Sequence, residues 1–234
     1  GTASIKGKNG TAIVNVQGGF NMTGGTLYLH NNSVSATSDA TTLTINSDAN
    51  ALGNFSHTGG TINFDNNPNG NNAQAPTIIV KSPNYTIGGT GIITRDGTSA
   101  LGVFGSLRFL RNGTINFNRT SSTHDIQQVR QYIDNGTTVD VITGDVQITS
   151  VPASFVFDPL SIMNTGKLAL RTSSIKSNVT RPYSGIYVYG RLATQHPNGL
   201  YNNTATAAIN ATGSMNYWLQ SGSTVEYYGT SNQV

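Results

Sequence analysis

Short runs in which apolar and polar residues alternate, each led by a glycine, recur along the chain. They are Gly91-Ile-Ile, Gly113-Thr-Ile-Asn-Phe117, Gly144-Asp-Val-Gln-Ile148, Gly166-Lys-Leu-Ala-Leu170, Gly190-Arg-Leu-Ala and Gly213-Ser-Met-Asn-Tyr217. Successive glycines lie 22, 31, 22, 24 and 23 residues apart. A period of two marks a strand with one buried face, not a helix. A step of this size, repeated, is that of a solenoid in which each repeat stacks on the last. The pattern predicts an all-β chain folded as a right-handed parallel β-helix.

The N-terminal half repeats with a longer step. Phe20-Asn-Met-Thr-Gly-Gly-Thr-Leu-Tyr-Leu29 matches Phe55-Ser-His-Thr-Gly-Gly-Thr-Ile-Asn-Phe64 at an offset of 35, and Gly88-Gly89-Thr90 is a weaker third copy. Polar stretches, Asn31 to Ala40 and Asp65 to Pro76, account for the extra length as loops. The one long step in the other half, Gly113 to Gly144, contains Ile126, Val129 and Ile133 at helical spacing. Ser122 or Thr123 stands where a cap belongs and Asn135-Gly136 where a stop belongs. These features predict one short inserted α-helix at about 123–134. The expected organisation is a single rod over 1–234, cut from a longer repeat protein, because Gln233-Val234 ends the chain just after strand-like residues.

Composition narrows the function classes. Only 10% of the residues are charged, against about 25% in ordinary globular domains. Thr, Asn, Ser and Gly take their place, and they suit strands and tight turns. The net charge is +3, but the thirteen Lys and Arg are scattered. Arg108, Arg111 and Arg119 form the densest group, which does not make a nucleic-acid face. There are no cysteines, hence no disulfides, thiolate metal sites or cysteine nucleophiles. No apolar run approaches the ~18 residues of a membrane span, so membrane insertion is not expected. Asn-x-Ser/Thr triplets, including those at Asn9, Asn21, Asn54, Asn112, Asn135, Asn178 and Asn210, are what so much Asn and Thr yields by chance.

The Phe-x-x-Thr-Gly-Gly-Thr cassettes at Phe20 to Leu29 and Phe55 to Phe64 resemble repeats of large secreted surface proteins of the Bacteroidetes. Gly222-Ser-Thr-Val-Glu-Tyr-Tyr-Gly-Thr-Ser-Asn-Gln-Val234 looks like the ending of coils in those proteins, and Arg191 to Leu200 is similar to the segment before it. The resemblance implies an extracellular or cell-surface rod, exported by the type IX pathway and acting as an adhesin. The sorting domain expected at the end of such proteins is absent from this stretch.

Some parallel β-helices cleave polysaccharides, which makes a lyase, hydrolase or carbohydrate-binding module the competing expectation. Glycoside hydrolysis needs two carboxylates about 5–10 Å apart, and no two of the ten acidic residues are adjacent or one residue apart. Asp140 and Asp145 come nearest. Arg171, Lys176 and Arg181 could flank a uronate, although a solvated edge is the simpler role. Asp65-Asn-Asn-Pro-Asn-Gly70 opens like a calcium loop but has Ala73 and Pro76 where the later ligands belong. His30, His57, His124 and His196 lack metal-ligand spacing. No catalytic residue, metal ligand or cofactor is therefore expected.

Aromatic residues carry the functional lead. Seven of the ten tyrosines lie at 183, 187, 189, 201, 217, 227 and 228, with the single tryptophan at 218. Strand alternation turns Ile186, Val188, Met215, Tyr217, Leu219, Val225 and Tyr227 inward. It leaves Tyr187, Tyr189, Trp218 and Tyr228 outward, as a strip for glycans or protein partners, copies of the chain and adjoining repeats among them.

Overall fold

The computed structural model describes residues 1–5, 12–29, 41–46, 52–64, 76–95, 105–148, 159–177, 185–200, 207–211 and 216–229. Among them every regular element is a strand and every strand pairing is parallel. The first strands are β1 (Thr2–Ser4), β2 (Ala12–Val16) and β3 (Phe20–Tyr28), then β4 (Thr41–Ile45) and β5 (Phe55–Asn63). Next come β6 (Thr77–Val80), β7 (Asn84–Ile87) and β8 (Ile92–Thr94), then β9 (Gly105–Phe109), β10 (Gly113–Arg119) and β11 (Asp125–Ile126). The series continues with β12 (Val129–Ile133), β13 (Thr137–Thr143) and β14 (Val146–Ile148), then β15 (Leu160–Ile162), β16 (Lys167–Ala169) and β17 (Ile175–Ser177). It ends with β18 (Gly185–Val188), β19 (Arg191–Thr194), β20 (Ile209–Ala211), β21 (Asn216–Leu219) and β22 (Thr224–Tyr227).

These strands fall into ladders that the chain visits in rotation. One sheet runs β2-β4-β6-β9-β12-β15-β18-β21. A second runs β1-β3-β5-β7-β10-β13-β16-β19-β22, with β8 and β11 branching from the far half of β5. A third is β14-β17-β20, and β14 lies beside β11. Three consecutive strands thus make one rung. In β3 and β5 the second and third strands of the rung are still one nine-residue strand, bent at Gly25 and Gly60, both with φ of 80°. From β7 and β8 onward they are separate.

One hydrophobic core gathers the inward residues of all three ladders. In the β2 sheet one inward column is Val14, Leu43, Ile78, Leu107, Gln131, Leu160, Ile186 and Tyr217. In the β1 sheet Phe20, Phe55, Tyr85 and Phe117 align, with ring centroids 5.1, 4.7 and 5.5 Å apart in sequence. Parallel register stacks like on like, so each aromatic pair adds about 0.5–1.5 kcal/mol beyond its buried area. Outside, Asn116 donates to the side chain of Asn84 (3.0 Å) and Asn84 to that of Asn54 (2.8 Å). This amide ladder repeats the backbone pairing one layer further out.

Two sequence expectations are corrected. Residues 123–134 form no helix: they are β11, a bend at Gln128 with φ of 54°, and β12. Ile126 belongs to the column of Ile62 and Ile93, whereas Val129 and Ile133 belong to the other sheet. Their helical spacing arises because a left-handed bend separates two strands. The period of two in Val129–Ile133 was disguised by Gln131, a polar residue at an inward position, only 3% exposed. Its amide donates to the Gln147 carbonyl (3.1 Å) and so ties the β2 sheet to the third ladder.

The near-regular glycine step is also a mixture of ladders. Gly113 opens β10 and aligns with Thr137, while Gly144 lies between β13 and β14 and Gly91 precedes β8. Register sets the true rung length, from 24 residues between Ser106 and Arg130 to 35 between Thr42 and Thr77. The offset of 35 between the Phe20 and Phe55 cassettes, by contrast, is a true rung step.

Candidate functional site

An outward column crosses the β2 sheet through Asn15, Thr44, Ile79, Arg108, Tyr132, Ser161, Tyr187 and Trp218. Its positions are fixed by alternation: Ile186 and Val188, wholly buried, flank Tyr187. Tyr187 and Trp218 occupy adjacent strands in register, and their rings stack at 4.5 Å with planes 25° apart. Tyr189, 37% exposed, lies two residues along from Tyr187 with its ring within 14° of parallel, centroids 6.4 Å apart.

Rings stacked along a ladder present their edges outward. Tyr187 and Trp218 thus share one pair of ring faces and turn ring edges outward, with the Tyr189 ring beside them. Trp218 lies on the last strand of its sheet.

Toward the other end the column changes character. The guanidinium of Arg108 lies 4.8 Å from the centroid of Tyr132, a cation–π contact worth about 0.5–1 kcal/mol at an exposed site. The same guanidinium grips Asp134 through two hydrogen bonds, one of them Nε to Oδ2 at 2.9 Å. Ser161, 5% exposed, is the small residue between Tyr132 and Tyr187. Arg108 and Tyr132 extend the strip, and reading residues 123–134 as a helix hid Tyr132. The signal was present in Val129-Arg-Gln-Tyr-Ile133, whose alternation points Tyr132 outward once β12 is read as a strand.

Tyr228 is not brought into this column. It follows β22 in the other sheet, where Lys167 Nζ lies 5.8 Å from its ring and its hydroxyl accepts from the Arg171 backbone N–H at 3.2 Å. The inward assignments of Tyr217, Leu219, Val225 and Tyr227 agree with their register against Ile186, Val188, Leu192 and Thr194. Met215 lies outside the described residues.

Of the charged residues weighed for polysaccharide cleavage, Arg171, Asp140, Lys176 and Asp145 are engaged in ion pairs. Arg171 holds both oxygens of Asp140, at 2.9 and 2.8 Å. Lys176 binds Asp145 at 2.6 Å, and Asp145 also accepts from Ser174 N–H at 2.8 Å. Lys167 reaches Glu226 at 2.9 Å, two strands away. Arg181, His30 and the Asp65 loop lie outside the described residues. Two histidines far apart in sequence do meet: His57 and His124 are both wholly buried, with ring nitrogens 3.0 Å apart.

No protein-family model matches the chain, and neither a curated protein nor a solved structure matches it.

Proposed function

We propose that this chain is a right-handed parallel β-helix serving as a structural and adhesive segment of a bacterial cell-surface or secreted filamentous protein. Its partner, a glycan or a protein, docks on the strip of Tyr187, Tyr189 and Trp218. Rotation of the chain through parallel ladders supports the helix, because crossover connections between parallel strands are almost always right-handed. The continuous core and its stacked aromatic columns suit a load-bearing rod.

The observation that carries the adhesive role is the in-register pair of Tyr187 and Trp218, with Tyr189 beside it on the same outward face. Outward aromatics with polar tips are characteristic anchors of binding surfaces. Their edge-out presentation favours a partner that lies across the strip. The resemblance of the Thr-Gly-Gly-Thr cassettes to Bacteroidetes surface repeats points to the same setting and to type IX export.

The test is a glycan array together with a panel of bacterial and host surface proteins, probed with the intact chain. Tyr187→Ala and Trp218→Ala should each weaken the strongest interaction by roughly tenfold or more. Tyr228→Ala, on the other sheet, should change it little. Binding that survives the double substitution of Tyr187 and Trp218 would remove the strip from the mechanism.

A further inference from the structure

The outer face of the β1 sheet changes character along its length. One outward column runs through Asn84, Asn116, Asp140, Ala169, Ala193 and Glu226. The column two residues away holds Thr114, Thr138, Lys167, Arg191 and Thr224. Parity turns both outward, because Ile115, Val139, Leu168 and Leu192 between them are buried. Up to β10 these positions are amides and hydroxyls; from β13 onward they carry charge. Ala169 and Ala193 are nevertheless only 7% and 0% exposed, so neighbouring side chains lie over them.

Three cations, Lys167, Arg171 and Arg191, share this face with two carboxylates, Asp140 and Glu226. Arg171 takes both oxygens of Asp140. Lys167 Nζ reaches over β19 to Glu226 at 2.9 Å and lies 5.8 Å from the centroid of the Tyr228 ring. The Tyr228 hydroxyl accepts from the Arg171 backbone N–H at 3.2 Å. Two strand spacings, about 9.5 Å, separate β22 from β16, so Tyr228 lies along the sheet and helps to hold Lys167 in place. Arg191 is left over. It is exposed, and among the described residues no acceptor pairs with its guanidinium. It also stands in register with Lys167 on the adjacent strand. Like charges facing each other across neighbouring strands destabilise a sheet, and only 10% of this chain is charged. An anion set between Lys167 and Arg191 removes that cost.

We propose that the outer face of β13, β16, β19 and β22 binds a carboxylated polysaccharide, with one uronate carboxylate bridging Arg191 and Lys167. The guanidinium gives that carboxylate two parallel donors and the ammonium a third. Thr138 and Thr224 stand on either side of the two cations in the same column, where their hydroxyls meet those of the sugar. Register thus sets four polar side chains in line, one strand spacing of about 4.8 Å apart. A line of donors on a flat sheet face suits an extended chain of repeating sugars laid across the strands. The interaction is binding alone: Asp140 and Glu226 are each held by a cation, and no step of bond cleavage is assigned to them. This face belongs to a different sheet from Tyr187 and Trp218, so it stands independently of the aromatic strip.

Titration calorimetry of the intact chain with oligogalacturonate tests this, beside neutral dextran oligosaccharides, dextran sulfate and poly-glutamate. Oligogalacturonate should bind and the neutral sugar should not. Arg191→Ala and Lys167→Ala should each weaken binding by roughly tenfold or more, and Arg191→Lys, which keeps the charge, should recover part of the loss. Lys176→Ala removes one positive charge from another ladder, and should leave the affinity within about twofold. Trp218→Ala should leave it unchanged. No binding of oligogalacturonate overturns the proposal. So does equal weakening by Lys176→Ala and Arg191→Ala, which would mean attraction to net charge alone. Tighter binding of dextran sulfate or poly-glutamate also overturns it, by making the partner a sulfated glycan or an acidic protein. Binding lost with Trp218→Ala but kept with Arg191→Ala would overturn it in favour of the aromatic strip. Circular dichroism checks each variant's fold; if Arg191→Ala departs from the wild-type spectrum, Arg191→Gln takes its place, and the wild-type ranking of the four ligands still decides.

Discussion

His124 donates its Nε2 proton to Nδ1 of His57 across 3.0 Å, between two rings with no exposed surface. The direction follows from the next contact. His57 Nε2 lies 3.2 Å from the Gly60 carbonyl, which can only accept, so His57 carries its proton there and accepts at Nδ1. His124 Nδ1 is then a buried acceptor with no partner. Burial, above all, lowers the His57 pKa to about 4. Burial, then His57 and Arg119, lowers that of His124 to about 3.

Both histidines are thus neutral in the folded chain, while in the unfolded chain they titrate near 6.5. Their effect on stability is absent above that pH. It becomes a loss as pH falls from about 6.5 toward 4, because the unfolded state then binds more protons. Between pH 7 and pH 5 each histidine should cost about 2 kcal/mol. Urea denaturation at the two pH values measures the loss, and in His57→Gln, where one titrating ring is gone, the acid-side slope should be shallower.

The glycine bends sort by what lies against them. At Gly60, with φ of 80°, an added Cβ would stand 2.4 Å from the Gly25 carbonyl oxygen of the rung below. Gly24, its neighbour in that rung, has open space and ordinary φ. Gly60→Ala should lower stability by about 3 kcal/mol or more through backbone displacement and left-handed strain. Gly24→Ala should stay within about 0.5 kcal/mol of the parent. Thermal melts of the two variants make the comparison.

Tyr85 sits in the middle of the Phe20–Phe117 column, wholly buried, with its hydroxyl unpartnered. Burial pushes the phenol pKa well above its ordinary value. Tyr85→Phe removes an unsatisfied polar atom and keeps the ring, so it should be neutral or stabilising by about 1 kcal/mol. Tyr85→Ala should cost about 3–5 kcal/mol by opening a cavity between Phe55 and Phe117. Denaturant midpoints would separate these; a large loss in Tyr85→Phe would mean that the hydroxyl has a partner after all.

Alternation told which side of each strand faces the core, because side-chain direction in a strand depends only on parity. Ile186, Val188, Tyr187 and Trp218 were placed by that rule alone, as was the repeat of the Phe20 and Phe55 cassettes. Parity failed where one polar residue interrupted it: Gln131 is inward because a carbonyl two strands further along the chain accepts its amide. The sequence by itself determined strands, their buried faces and the outward aromatics. Only the tertiary structure decided which ladder each strand joins, since rungs of 24 to 35 residues leave register open until neighbouring strands pair. That pairing brought Tyr187 against Trp218, set Arg108 and Tyr132 in their column, sent Tyr228 to another sheet, and joined His57 to His124 across 67 residues of chain.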